Sequence, residues 1–222
     1  MLTSAIEKVV NLISPYECLV CEYEGAVVCK NCWEPNVPIR KPACFWCNTL
    51  SVDGRTCPRC KRTTHLAGAT IPYRLNGLVE QCIYELKYYH NKQMAKFLAG
   101  YLADSRDITK FDCISFVPAI GKNQRRRGYN QAKLLAKEVS DIQNIPLVNS
   151  LSRISHTNQI GLNRVQRLSS VKNNFIAIRD FTSKKVLLVD DVLTTGATLN
   201  ECARVLKQSG AKTVWAVVVA KK

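Results

Sequence analysis

The sequence predicts an α/β protein: a largely parallel sheet flanked by helices, with a small metal-binding module in front of it. Three observations predict this. From Lys61 onward, apolar strand-like segments alternate with amphipathic helical ones, the pattern of βαβ units. The stretch Trp215 to Ala220 is apolar at every position, as a central parallel strand buried on both faces must be. Four C-x-x-C pairs crowd the 43 residues from Cys18 to Cys60.

The elements follow in order. Leu2, Ile6, Val9, Val10 and Ile13 recur at helical spacing, so residues 1–14 are expected to form a short amphipathic helix. This segment is only mildly basic and lacks a small-residue cleavage site, so it is not read as a signal peptide. No stretch approaches 18 consecutive apolar residues, which argues against membrane insertion; a cytoplasmic location is expected.

Residues 15–62 form the metal module. The pairs are Cys18/Cys21, Cys29/Cys32, Cys44/Cys47 and Cys57/Cys60. A C-x-x-C turn aims two sulfurs at one point and so supplies half of a tetrahedral site; four turns match two Cys₄ zinc sites. Sequential pairing is the simplest arrangement, and a cross-braced pairing fits the spacing as well. A disulfide framework would need secretion. The segment has few aliphatic residues, so the metal must supply folding energy, and four thiolates leave no open coordination position for catalysis. The remaining cysteines, Cys82, Cys113 and Cys202, read as small buried apolar residues.

Residues 63–222 form the α/β domain. A β-like run, Leu66 to Tyr73, leads into a helix with Leu78, Val79, Cys82, Ile83 and Leu86 on one face. A second helix carries Met94, Phe97, Leu98, Tyr101 and Leu102. Cys113 to Val117 is a buried strand stopped by Pro118. After the basic loop 119–128, a helix begins near Tyr129 with Ala132, Leu135, Ala136 and Val139 inward. Residues 155–170 read as loop and short helix. Strands at Phe175–Ile178 and Lys185–Val189, a helix from Thr198 to Gln208, and a last strand from Val214 to Val219 complete the chain.

The 32 Lys and Arg against 17 Asp and Glu give a formal charge of +15. Two tetrathiolate zinc sites, each of charge −2, would lower it to about +11. Such an excess suits polyanions or small phosphorylated ligands.

The most specific stretch is residues 186–198, VLLVDDVLTTGAT. It is an apolar strand ending in Asp190 and Asp191, then a Thr/Gly turn, then a helix start. Ligands of an open parallel sheet sit beyond the carboxyl ends of its strands. Free N–H groups and the helix dipole favour a phosphate dianion at Thr194, Thr195, Gly196, Ala197 and Thr198. The three threonines can donate hydroxyl hydrogen bonds, and the glycine lets the backbone come close. Carboxylates just before that turn can accept hydrogen bonds from vicinal hydroxyls such as those of ribose.

This run resembles the 5-phosphoribosyl 1-diphosphate (PRPP) motif of the type I phosphoribosyltransferases. A narrower resemblance spans almost the whole chain: the paired C-x-x-C turns, LKYY at 86–89, Val117-Pro118, RGYNQ at 127–131, TNQIGLNR at 157–164, NNF at 173–175 and the PRPP loop. The sequence is similar in these to the ComF family of competence proteins. That resemblance implies a type I phosphoribosyltransferase-like domain joined to a double zinc ribbon, and an association with natural transformation. It implies that Asp190 and Asp191 hold the ribose hydroxyls as catalytic-site residues and that residues 194–198 hold the 5′-phosphate. It places the loop from Pro118 to Lys122 near the diphosphate, with Arg125, Arg126 and Arg127 on the next segment; those arginines read either as diphosphate ligands or as solvated or nucleic-acid-backbone groups, and Lys87, on a helix, reads either as a pocket residue or as a surface one. Arginine forks suit a diphosphate accompanied by Mg²⁺. Gln159, Asn163, Arg164 and Arg167 frame the pocket mouth. His65, His90 and His156 are isolated and receive no ligand role.

Two function classes follow, beside a third possibility, a non-catalytic regulator on the same fold. One is a PRPP-binding, phosphoribosyltransferase-like protein using Mg²⁺, with structural Zn²⁺ and an unspecified acceptor. The other is a single-stranded nucleic-acid-binding module in which the PRPP loop is regulatory; there Trp33, Phe45 and Trp46 stack on bases or, alternatively, pack around the zinc turns. The partners these imply are PRPP or a related phosphoribosyl ligand, single-stranded DNA, and competence-machinery proteins such as a helicase.

Overall fold

The most apolar segment of the chain becomes the centre of its sheet. The computed structural model describes residues 15–89, 91–105, 108–119, 127–154 and 174–222. The expected helix at residues 1–14 and the expected loop and helix at 155–170 lie outside these. In chain order the elements are α1 (Lys30–Asn36), α2 (Pro58–Lys61), β1 (Gly68–Thr70), β2 (Tyr73–Arg74), α3 (Gly77–Tyr88), α4 (Lys92–Asp104), β3 (Cys113–Phe116), α5 (Gln131–Gln143), β4 (Leu151–Arg153), β5 (Phe175–Ala177), β6 (Lys185–Leu193), α6 (Ala197–Gln208) and β7 (Thr213–Lys221).

The main sheet runs β1-β7-β6-β3, with β2 continuing β1 along the same edge of β7. Every pairing in it is parallel. The expected strand Leu66–Tyr73 is therefore two short strands. Pro72, which has no N–H to give to a ladder, lies in the break between them. Strand β6 runs past the expected end at Val189, because Asp190 pairs with Val218 and Val192 with Ala220. The expected strand at Phe175–Ile178 forms, but β5 pairs antiparallel with β4 in a separate ribbon.

Side chains alternate across the sheet. Leu187, Val189, Trp215, Val217 and Val219 join the core beneath α3, α4 and α5. Val186, Leu188, Val214, Ala216 and Val218 join the core beneath α6 and the β4–β5 ribbon. The apolar positions read from helical periodicity are buried throughout α3 and α5. In α4, Met94, Leu98 and Leu102 are buried, whereas Phe97 and Tyr101 turn to the edge and stack on Trp33. Asn91 and Asn130 cap α4 and α5, their side-chain oxygens accepting from Met94 N and Lys133 N.

The cysteine-rich segment contributes to both cores. Cys18, Val28 and Trp33 belong to the α3/α4 side, and Trp33 meets Tyr73 edge-on at 5.2 Å. Phe45 belongs to the other side, with Leu66, Val117 and Leu193. The two halves of the segment thus cover opposite faces of one sheet. Cys82, Cys113 and Cys202 are buried. No helix among the described residues is long and apolar enough to cross a membrane.

Candidate functional site

The carboxyl end of β6 carries two adjacent acids inside the strand, where alternation sends them to opposite faces. Asp190 Oδ1 accepts from the N–H of Asp191 at 2.9 Å, and Asp191 Oδ1 accepts from that of Val192 at 2.8 Å. Burial, and then the neighbouring Asp191 carboxylate, push the Asp190 carboxyl well above the usual carboxylate range. Asp191 instead meets a cation: Lys87 Nζ, from the last turn of α3, lies 3.0 Å from its Oδ2, both side chains being largely buried. Lys87 is thus neither a free surface cation nor an isolated one; its partner is the second aspartate.

Past Leu193 the chain turns through Thr194 and Thr195 into α6. Gly196 is the N-terminal cap residue of that helix, at φ +80°, a left-handed conformation that side chains disfavour. Thr195 Oγ1 accepts from Ala197 N at 3.3 Å, closing a small turn at the helix start. The hydroxyls of Thr194, Thr195 and Thr198 are all at least partly exposed. A helix of 12 residues opening on a glycine-containing turn directs N–H groups and positive dipole at one point beside two aspartates.

The RGYNQ string builds the opposite wall. Arg127 stacks on Tyr88, its guanidinium carbon 5.0 Å from the ring centre, and donates to the Tyr88 hydroxyl at 3.4 Å. Tyr129 donates its hydroxyl to the Leu86 carbonyl, and Asn130 Nδ2 donates to the Val117 carbonyl at 3.0 Å. These bonds tie the start of α5 both to α3 and to the end of β3. Arg127 Nε and Gln131 Nε2 are buried donors without a hydrogen-bond partner among the described residues. Buried donors of this kind are costly unless something accepts from them. Gln131 was legible only as the last letter of that string; nothing in its own type or spacing sets it apart.

The eight paired cysteines fall into two sequential clusters, Cys18, Cys21, Cys29, Cys32 and Cys44, Cys47, Cys57, Cys60, each with its sulfurs within 4.8 Å of one another. The cross-braced alternative does not occur. The Cys21–Cys29 and Cys47–Cys57 sulfurs are 3.7 and 3.6 Å apart. Four sulfurs at zinc's bond length on a tetrahedron would stand about 3.8 Å apart, so both clusters fit the ion. Cys29 N–H also donates to Cys18 Sγ at 3.3 Å, as expected of a thiolate acceptor.

Trp33 and Phe45 are buried, which removes them as base-stacking residues and assigns them to packing; Trp46 is half-buried. His65 is exposed, and its backbone N–H donates to Asn200 Oδ1 at 2.7 Å. Lys122, Arg125, Arg126, Gln159, Asn163, Arg164 and Arg167, with His90 and His156, lie outside the described residues.

Residues 125–222 match the phosphoribosyl transferase domain. Competence protein F of Haemophilus influenzae is 33% identical over 148 residues, 63% of this chain and 65% of that protein. Competence protein ComFC of Streptococcus pneumoniae is 26% identical over 201 residues, 88% of each chain. Among solved structures, the glutamine phosphoribosylpyrophosphate (PRPP) amidotransferase from B. subtilis complexed with ADP and GMP aligns over 62% of this chain and 30% of its own, at 20% identity and a TM-score of 0.45.

Proposed function

We propose that this chain, a homologue of competence protein F and ComFC with a phosphoribosyl transferase domain and a double zinc-ribbon module, binds PRPP with Mg²⁺ in the service of DNA uptake. The observation that carries the reading is the succession of Asp190, Asp191 and the Thr194–Thr198 turn where a central parallel strand ends and α6 begins. Asp190 and Asp191 accept hydrogen bonds from the ribose 2′- and 3′-hydroxyls. The turn and the first N–H groups of α6 hold the 5′-phosphate. Arg127 and Gln131 offer their unpartnered donors, and Lys87, released from Asp191 when the sugar takes its place, turns its charge to the diphosphate. Mg²⁺ carried in with the diphosphate would add charge neutralisation there. The chain's own share of transfer is positioning and electrostatics. Zn²⁺ in the two Cys₄ clusters is structural.

The test is a thermal shift. Mg²⁺·PRPP at millimolar concentration should raise the melting temperature, and Asp190→Asn with Asp191→Asn should abolish the rise. No rise in the wild-type protein would refute the pocket. Transfer is read separately, by release of diphosphate from PRPP over a panel of candidate acceptors.

A second reading, contact with single-stranded nucleic acid, is favoured by a different observation. A groove of about 520 Å³ is lined by Arg40, Lys41, Arg74, Lys221 and Lys222, and no aspartate or glutamate lines it. Burial and the neighbouring Arg74 hold the Arg40 guanidinium below its usual range; burial and Arg40 do the same to the Lys221 ammonium. Cations that crowd one another in this way favour a polyanion. If a strand lies there, affinity for single-stranded DNA should fall with added salt, and Arg40→Ala with Arg74→Ala should flatten that dependence. A dependence unchanged by both substitutions would exclude the groove.

A further inference from the structure

The second Cys₄ cluster lies against the phosphate turn through Phe45 and Trp46, and hydrogen bonds on either side join its surroundings to the first turn of α6 and to the end of β6. Phe45 lies inside the Cys44/Cys47 turn. A Cβ built on Gly196 would stand 3.1 Å from Phe45 Cδ2, 3.2 Å from its Cε2 and 3.5 Å from Trp46 Cε3. The turn's only residue without a side chain is therefore the one roofed by the metal knuckle. On the far side of the same cluster, the chain leaving Cys60 brings the His65 N–H to Asn200 Oδ1 at 2.7 Å, in the first turn of α6. Thr64 keeps that exit in place, its Oγ1 donating to the Cys60 carbonyl at 2.8 Å. Below the turn, Lys221 Nζ donates to the Phe45 carbonyl at 2.9 Å, and Lys222 N donates to Leu193, the residue before Thr194, at 3.0 Å. The knuckle, the helix start and the strand end are thus one bonded unit. The first cluster sends Trp33 to Tyr73, Phe97 and Tyr101 on the other face of the sheet.

We infer that the second Cys₄ cluster is a clamp on the phosphate turn, with Phe45 as its positioning residue, so that metal held there and phosphate held by the turn stabilise each other. The inference rests on the phosphoribosyl reading of the pocket. Its physical basis is that a C-x-x-C knuckle has a fixed shape only while its thiolates share an ion. When the ion leaves, nothing holds the Phe45 ring over Gly196 or fixes His65 against Asn200, and the turn loses its preorganised geometry. Coupling of two binding equilibria is reciprocal. Phosphate binding must therefore tighten the hold on the second ion, seen as slower release to a chelator where capture of the ion is unchanged, and loss of that ion must weaken phosphate binding by the same factor.

The experiment uses the full zinc-loaded chain. Mg²⁺·PRPP affinity is measured by titration calorimetry for wild type, Phe45→Ala, Phe45→Leu, Cys21→Ser and Cys47→Ser; Cys21 and Cys47 are exposed members of the first and second cluster. In parallel, release of zinc to a zinc-selective chelator is followed with and without Mg²⁺·PRPP. Phe45→Ala should weaken binding about tenfold, Phe45→Leu should restore most of it, and Cys47→Ser should weaken it more than Cys21→Ser. In wild type, the ligand should slow release of one of two ions, and the protected one should be that retained in Cys21→Ser. If wild type binds Mg²⁺·PRPP yet both ions leave at unchanged rates, the clamp is wrong and the pocket stands. If wild type does not bind it, the pocket reading fails and the clamp falls with it. The wild-type release rates decide the matter even if Phe45→Ala or Cys47→Ser does not fold.

Discussion

Lys87 Nζ sits 3.0 Å from Asp191 Oδ2, joining the last turn of α3 to the acidic end of β6 across the mouth of the pocket. The pair sets a cation against one oxygen of the Asp191 carboxylate at the end of the strand. Lys87→Met keeps the stem and removes the charge. It should lower the stability of the free protein by about 1–2 kcal/mol, because a largely buried carboxylate loses its partner. It should also weaken Mg²⁺·PRPP binding by about tenfold, read by calorimetry. Unchanged affinity would leave Lys87 as a structural partner only.

Asp190 gives a pH prediction of opposite sign from the usual carboxylate. Its pKa is raised in the folded state by burial and by Asp191. Below an unfolded pKa of about 3.9 both states are protonated and the group is neutral in its effect. As pH rises from there through the raised folded value, the unfolded state loses its proton first, and stability falls. Asp190→Asn should remove that decline and leave the free protein more stable at neutral pH, while losing the PRPP-induced thermal shift. Urea titrations of both zinc-loaded proteins across this range check the claim through their difference; a gap between Asp190→Asn and wild type that does not widen as pH rises would contradict it.

Tyr129 holds the start of α5 to the α3 carbonyl at Leu86. Tyr129→Phe keeps the ring and loses the hydrogen bond, so the urea midpoint should drop by the equivalent of about 1 kcal/mol at unchanged slope. A loss much smaller than this would mean the loop is held by Asn130 and Arg127 alone.

Trp33 is the anchor of the first cluster's side of the module, buried against three aromatic rings. Trp33→Ala should cost about 3–5 kcal/mol by chemical denaturation. If the metal module were a separate bead, unfolding would split into two transitions and only the first would move. Shared cores predict that the main transition moves.

Local periodicity made the helices and central strands legible before any coordinates. The burial of Leu78, Val79, Cys82, Ile83 and Leu86 in α3 follows from spacing alone, and so does the all-apolar run within β7. The order of residues 186–198 placed the acids and the phosphate turn together because they are contiguous. What spacing does not encode is long-range partnership. Phe175–Ile178 is apolar enough for any sheet, and only its pairing with Leu151–Arg153 puts it in a separate ribbon. The C-x-x-C pattern announces a metal site but not which side chain between the cysteines points outward, so the contact of Phe45 with Gly196, 151 positions later, was invisible. The same limit hid the Lys87–Asp191 pair, whose members were each read as ligand groups and never as partners.

The central claim is that Asp190, Asp191 and the 194–198 turn form one phosphoribosyl site. A crystal structure of the zinc-loaded protein with Mg²⁺·PRPP tests it most directly. The account predicts the ribose hydroxyls within hydrogen-bond distance of both carboxylates, the 5′-phosphate against the N–H groups at Gly196–Thr198, and Lys87 drawn away from Asp191. Density for the ligand elsewhere, with Lys87 and Asp191 still joined, would contradict it.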